Sequence, residues 1–284
     1  MTALPDYADA LRQALTCADP LGDVERVPLE LAVGRVTTGP IVADRDLPPF
    51  DRAQMDGYAL RAHEVGSVEA WPVAATIPAG ASFDVAVPPG QCVAIATGAG
   101  LPPDVDSVIQ HERSDRGDPV RFTVTKIATG HAVHHRGADA RAGEVLVERG
   151  TRIEARHVGI AATVGASELE VVRRPRVVVL TSGDEVRPVD AAVATYQIRN
   201  SNGPMVTELL ARCGAEPIAH RHVADELEPT RTAVGEALAS ADVLITVGGV
   251  SAGERDHFPG AFDAHGVEPV SYTHLTLPTN TNAC

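Results

Sequence analysis

From residue 175 onward, short apolar stretches alternate with amphipathic ones in a regular order. Residues 243–247 (VLITV) are an unbroken apolar and β-branched run, the pattern of a strand buried on both faces. Residues 177–180 and 216–223 read as two further strands. Between the strands, residues 204–213 predict a helix with Asn202 as cap, Pro204 in its first turn, Met205 and Leu209 on one face, and Gly214 as stop. Residues 229–240 predict a second, carrying Val234 and Leu238. Strand-loop-helix repeated in this way is the signature of a parallel sheet with right-handed crossovers and helices on both faces.

The first 174 residues follow another rhythm. Asp6 is placed to cap a helix running to Cys17, with Tyr7, Leu11 and Leu15 repeating on one face. Short apolar segments follow at 29–36 and 40–42. From Trp71 to about Val133 the pattern is all-β, with extended pieces at 85–87, 92–96, 107–110 and 122–127 between Pro and Gly turns. Residues 136–153 are turn-rich, 154–163 read as a helix and 169–172 as a strand, before Arg173-Arg174-Pro175 marks a boundary.

Composition narrows the class. A chain of 284 residues corresponds to about two domains at ~150 residues each. With 24 basic against 38 acidic residues, a net charge of −14 argues against general nucleic-acid or anionic-membrane binding. Four scattered cysteines form no C-x-x-C pair, which argues against a zinc module or a disulfide framework. The N-terminus lacks a secretory pattern and no apolar run would span a bilayer, so a soluble cytoplasmic protein is expected.

Candidate chemistry gathers where the predicted strands end. After residue 247 come Gly248, Gly249, Ser251 and Gly253, then Glu254, Arg255 and Asp256. Glycine-rich turns expose backbone N–H groups, and a following helix adds partial positive charge, making an anion cradle. All strand-to-helix loops of a parallel sheet share one edge. Asp184 and Glu185, Asp225 and Glu226, and Glu254 and Asp256 should therefore face one crevice. Acids around glycine amides suit a phosphate-bearing ligand bridged by Mg²⁺, although each acid taken singly reads as a solvated helix-start charge. Elsewhere, Asp56 within Met55-Asp56-Gly57-Tyr58 reads from composition as an Asx-type turn. Thr97-Gly98-Ala99 after a strand fits a plain turn and an anion-holding loop equally well. His131, His134 and His135 are read as surface-loop residues rather than metal ligands, since adjacent strand side chains point to opposite faces.

Taken together, MDGYA (55–59), ATGAGLP (96–102), RGADARAGE (136–144), TSGDEV (181–186), RNSNGPM (199–205) and GGVSAGERD (248–256) resemble, in order, the motifs of the MoeA family. These are the molybdopterin molybdenumtransferases of molybdenum-cofactor synthesis, similar to the gephyrin E domain. The resemblance implies a multidomain α/β plus β protein. Its parts would be an N-terminal helix (1–18) packing with the α/β domain, a linking domain (19–47 and 136–174), a β-rich domain (48–135) and a three-layer α/β molybdopterin-binding domain (175–270). It implies a homodimer whose site is shared between subunits, working beside molybdopterin adenylyltransferase and other pathway proteins. The implied reaction inserts molybdate into adenylylated molybdopterin with Mg²⁺ and releases AMP. By position, the implied catalytic residues are Asp56, Thr97, Asp139, Glu185, Asp225 and Asp256, with Asp225 and Asp256 holding the metal. Ser182, Gly183, Gly248, Gly249, Ser251 and Gly253 would hold the cofactor.

The resemblance ends at Val270, where the family continues into a Lys- and Pro-rich segment, a GLPGNP-like loop and a fourth domain. Residues 271–284 (SYTHLTLPTNTNAC) instead read as a non-native tail, to be left out of the fold. Without the family's lysines, a site made mostly of carboxylates is expected to hold an anion poorly, so this form is expected to be weakly active or inactive. Two other readings compete. One is a molybdopterin adenylyltransferase of MogA type, against which the β-rich domain argues. The other is a gephyrin-like scaffold, against which retention of the acid and hydroxyl positions argues.

Overall fold

The structure, a computed structural model, describes residues 7–16, 18–249 and 256–268. The proposed Asp6 cap, Ser251, Gly253, Glu254 and the 271–284 tail lie outside these residues. In chain order the elements begin with helix α1 (Tyr7–Thr16), then strands β1 (Val24–Pro28), β2 (Ile41–Val42), β3 (Arg52–Ala53) and β4 (Gly57–Leu60). They continue through β5 (Val73–Ile77), β6 (Cys92–Ile95), β7 (Ser107–Gln110), β8 (Val133–His134), β9 (Val145–Val147), helix α2 (Ala155–Thr163) and β10 (Glu168–Val172). The last part comprises β11 (Arg176–Ser182), β12 (Val186–Arg187), β13 (Ile198–Arg199), α3 (Asn202–Arg212), β14 (Glu216–Val223), α4 (Leu227–Ser240), β15 (Val243–Val247) and α5 (Phe258–Ala264). The described residues group into two compact units, one of residues 27–33 and 37–169, the other of those within 7–26, 34–36 and 170–268.

The β-rich unit is built on a four-stranded sheet of order β5-β6-β4-β7. β4 is central and wholly buried, and its alternating side chains divide between two cores. Ala59 joins Ile77, Val93, Ile95 and Val108 on one face, while Tyr58 and Leu60 join Trp71, Cys92, Ile109 and Val120 on the other. Burial pushes the Cys92 thiol up to about 12, so it stays an inert, protonated core residue. Gly57 is required here, because a Cβ would overlap the Ile109 carbonyl of the neighbouring strand. Two of the predicted extended pieces differ. Residues 85–87 and 122–127 form no strand; Val85 and Val87 pack onto one core and Phe122, Val124 and Ile127 onto the other, as irregular chain. β5, which the sequence pattern did not predict, takes the parallel edge beside β6.

In the α/β unit, β14-β11-β15 form a parallel sheet. Val178 and Leu180 of β11 pack against Val234 and Ala237 of α4 and Phe258 and Ala261 of α5. The opposite face of the sheet meets α3. Three expectations are corrected. β15 is only partly buried, because it is an edge strand among the described residues and not a central one. Asn202 lies inside α3; the N-cap position falls on Ser201, which makes no side-chain cap bond, and Asn200 Oδ1 accepts the Gly203 N–H at 3.0 Å instead. Met205 and Leu209 share one face, but it is exposed, with Leu238 of α4 likewise outside the core. The first loop is also longer than the simple repeat predicts, since the parallel pair β12-β13 intervenes before α3.

Candidate functional site

In the β-rich unit, antiparallel register decides what meets Asp56. Gly57 pairs with Ile95, so the residue before β4 faces the residues after β6. Asp56 Oδ1 accepts the Thr97 amide at 2.7 Å and the Thr97 hydroxyl at 2.8 Å. These two bonds, amide first, hold the Asp56 carboxyl below the usual carboxylate range. The local Asx-type turn expected for Asp56 is thus replaced by a clasp between two strand ends. Gly98 turns the Thr97 loop in the left-handed region (φ +81°), and its N–H donates to the Ala53 carbonyl at 2.8 Å. The Ala53 N–H in turn donates to the Ala99 carbonyl at 2.9 Å, which ties the loop to β3.

On its other side β3 pairs with β8, setting Arg52 directly opposite His134. Arg52 Nη2 lies 3.2 Å from His134 Nδ1, and His134 Nε2 lies 2.9 Å from Asp139 Oδ1. Asp139 sits in the turn after Gly137 (φ +68°), with its own N–H on the Leu47 carbonyl at 2.8 Å. Next to it, Asp51 accepts the Arg136 amide at 2.7 Å and Arg136 Nε reaches Asp46 at 2.7 Å. His134 is therefore a strand residue with a carboxylate partner, not the loop residue expected. Asp56 and Thr97 meet directly, and Asp139 is tied to the same strand β3 through His134 and Arg52.

In the α/β unit, the predicted loops meet at the C-terminal edge of the sheet. β11 extends two residues past its predicted end, through Ser182, and Gly248 and Gly249 follow β15 beside it. A Cβ on Gly248 would lie 2.9 Å from the Ser182 carbonyl, and one on Gly249 would lie 2.7 Å from Ser182 Oγ. Both glycines also have positive φ (+86° and +59°), so glycine is needed twice over. Ser182 Oγ is buried and has no hydrogen-bond partner among the described residues. The Asp184 N–H donates to Asp225 Oδ2 at 3.2 Å, and the Asp225 N–H donates to Asp184 Oδ1 at 3.3 Å. This reciprocal clasp joins the loops after β11 and β14. The third loop joins through His257, whose Nε2 lies 3.1 Å from the Asp225 carbonyl, and through the Phe258 N–H, which donates to the Gly249 carbonyl at 3.2 Å. Asp256 precedes them and is partly buried. The Glu185 side chain folds beside Gly183, where its Oε2 would lie 2.9 Å from an added Cβ.

Beneath these loops lies a polar group that sequence reasoning missed. Thr181 Oγ1 accepts from Asn200 Nδ2 at 2.8 Å and lies within 3.4 Å of His220 Nε2 and 3.2 Å of His222 Nδ1. Burial, and then the charge of His222, push the His220 imidazole below its usual range. The i, i+2 spacing of His220 and His222 on a predicted strand was the available signal, because such residues share a face.

Comparison with known proteins gives the arrangement its family. Residues 6–165 match the family model described as "MoeA N-terminal region (domain I and II)", and residues 178–278 match "Probable molybdopterin binding domain". The chain belongs to the MoeA family. Among MoeA relatives, the molybdopterin molybdenumtransferase of Bacillus subtilis (strain 168) is 34% identical over 87% of this chain and 60% of its own length. That of Nostoc sp. is 32% identical over 90% of this chain, again 60% of its own length. The crystal structure of the molybdopterin biosynthesis MoeA protein from Pyrococcus horikoshii OT3 is similar with a TM-score of 0.79 at 27% identity, covering 87% of this chain and 67% of that one. This MoeA chain thus spans about 60% of the length of the curated relatives it matches.

Proposed function

We propose that this chain carries substrate-holding residues of a molybdopterin molybdenumtransferase, which inserts molybdate into adenylylated molybdopterin and releases AMP. The observation that carries the reading is the buried Ser182 hydroxyl, without a partner among the described residues and set against the Gly248-Gly249 turn. A buried hydroxyl without a partner costs roughly 1–3 kcal/mol, a cost that a bound acceptor removes. The hydroxyl and the glycine amides would hold the phosphate end of the ligand, and the Asp184–Asp225 clasp would fix the neighbouring carboxylate.

Mg²⁺ takes one or two carboxylates with phosphate oxygens and water. Asp225, partly buried and anchored through one oxygen, and Asp256 offer hard oxygen donors of that kind. A bound Mg²⁺ would supply positive charge to activate the phosphate for loss of AMP. The chain's own groups do the remaining work. Asp56 stays ionised because Thr97 donates to it twice. With its one O–H proton donated to Asp56, the Thr97 hydroxyl acts to fix that carboxylate and has no donor left for an anion. Asp139 and Glu185 complete the set of acids. We further propose a cytoplasmic homodimer with the site completed by both subunits, supplied by a molybdopterin adenylyltransferase, and with the linking and β-rich domains divided near residues 47 and 136.

A single-turnover assay with protein in excess of adenylylated molybdopterin tests the reading. Weak molybdate-dependent AMP release, within reach of a single turnover and abolished by Asp225→Ala, is expected. Pyrophosphate release from molybdopterin and ATP without molybdate would replace it with the adenylyltransferase reading.

A further inference from the structure

We infer that His134 is a positioning residue that locks Asp139 in one orientation through a fixed, neutral imidazole tautomer. This rests on the reading of Asp139 as a site residue, but its structural core does not.

A guanidinium donates hydrogen bonds and never accepts them. Arg52 Nη2 stands 3.2 Å from His134 Nδ1, so Nδ1 must present its lone pair. The imidazole proton then resides on Nε2, which donates to Asp139 Oδ1 at 2.9 Å. The second Asp139 oxygen faces back toward Arg52, with Oδ2 4.0 Å from Nη2. The three side chains close a ring in which each is placed by the other two. The backbone makes the ring rigid. Arg52 and His134 are register partners across β3 and β8, and Asp139 is held by the Leu47 carbonyl. Because β3 also carries the loop of Thr97, the same strand sets both acids of this unit.

A side chain set in this way reaches its ligand without a search over rotamers, and misplacing a site group by about 1 Å can cost on the order of 10²-fold in rate. Gln at position 134 can still donate an N–H toward Asp139 while remaining neutral. Ala can do nothing.

The test combines imidazole ¹⁵N shifts with the Hα–Hβ couplings of Asp139 in the 284-residue chain, then single-turnover AMP release. The expected results are an Nε2–H tautomer for His134 and a single Asp139 rotamer in the wild type and in His134→Gln, with rotamer averaging in His134→Ala. AMP release at saturating ligand should fall about tenfold or more in His134→Ala and recover in His134→Gln, with half-saturation little changed. An Nδ1–H tautomer, or an Asp139 rotamer indifferent to His134→Ala, overturns the inference. A locked Asp139 with wild-type release in His134→Ala overturns the positioning role. Absence of molybdate-dependent release from the wild type counts instead against the proposed function, and the tautomer and couplings still decide whether His134 orients Asp139.

Discussion

Thr97 supplies Asp56 with two donors on a single carboxylate oxygen, its amide at 2.7 Å and its hydroxyl at 2.8 Å. Because these donors lower the Asp56 pKa, the stabilisation they give is present above the ordinary carboxylate range and is lost as pH falls through the lowered value. Thr97→Ala keeps the amide and removes the hydroxyl. The Asp56 titration, followed by its carboxyl ¹³C shift, is expected to move part of the way back up, and Thr97→Ser to restore it. An unchanged titration in Thr97→Ala would show that the hydroxyl bond does not form in solution.

Arg173 makes a bidentate pair with Asp242, at 2.8 and 3.0 Å, and also reaches Asp23 at 3.0 Å. With the Arg176 amide as a further donor at 2.6 Å, these contacts hold the Asp242 carboxyl down at about 2. An unfolded aspartate titrates near ~3.9. The pair therefore stabilises the fold above about pH 4, and its contribution disappears as pH falls from about 4 to about 2. Asp242→Asn should lower stability at neutral pH and lose less between pH 4 and pH 2 than the wild type, as read by urea denaturation across that window. Parallel pH profiles would contradict the assignment.

Gly57 lies in β4 beside β7, and an added methyl group would overlap the Ile109 carbonyl. The nearest atoms are all backbone of β7, so no side chain can swing away. Gly57→Ala should cost ~2 kcal/mol or more in chemical denaturation, within the range of an overpacked core. Gly143 has open space around it but a positive φ of +85°. Gly143→Ala should therefore cost less, roughly the ~1 kcal/mol of a strained backbone.

Much of the fold was legible because local pattern and tertiary role agree. The 216–223 and 243–247 strands and the strand-loop-helix alternation were read from periodicity, and the loops they carry meet at one sheet edge. Burial was harder to read. VLITV has the composition of a central strand yet sits at an edge among the described residues, because composition records what a strand tolerates and not how many neighbours it has. The partners of site residues were the least legible. Asp184 clasps Asp225 across 41 positions, and His134 meets Arg52 across 82, by register that no local motif encodes. The β-prone pieces at 85–87 and 122–127 pack as irregular chain because hydrophobic burial needs no strand pairing.

The central claim is that the edge formed by Ser182, Gly248 and Gly249 holds a phosphate-bearing ligand. Its most direct test is calorimetric titration of adenylylated molybdopterin, with Mg²⁺, into the wild type and Ser182→Ala, alongside thermal unfolding of both without ligand. Since Ser182 Oγ has no hydrogen-bond partner among the described residues, its removal should leave the melting temperature unchanged or raised. Affinity should fall about tenfold, the equivalent of ~1.4 kcal/mol. Equal affinity in the two proteins, or a loss of stability in Ser182→Ala without any loss of binding, would contradict it.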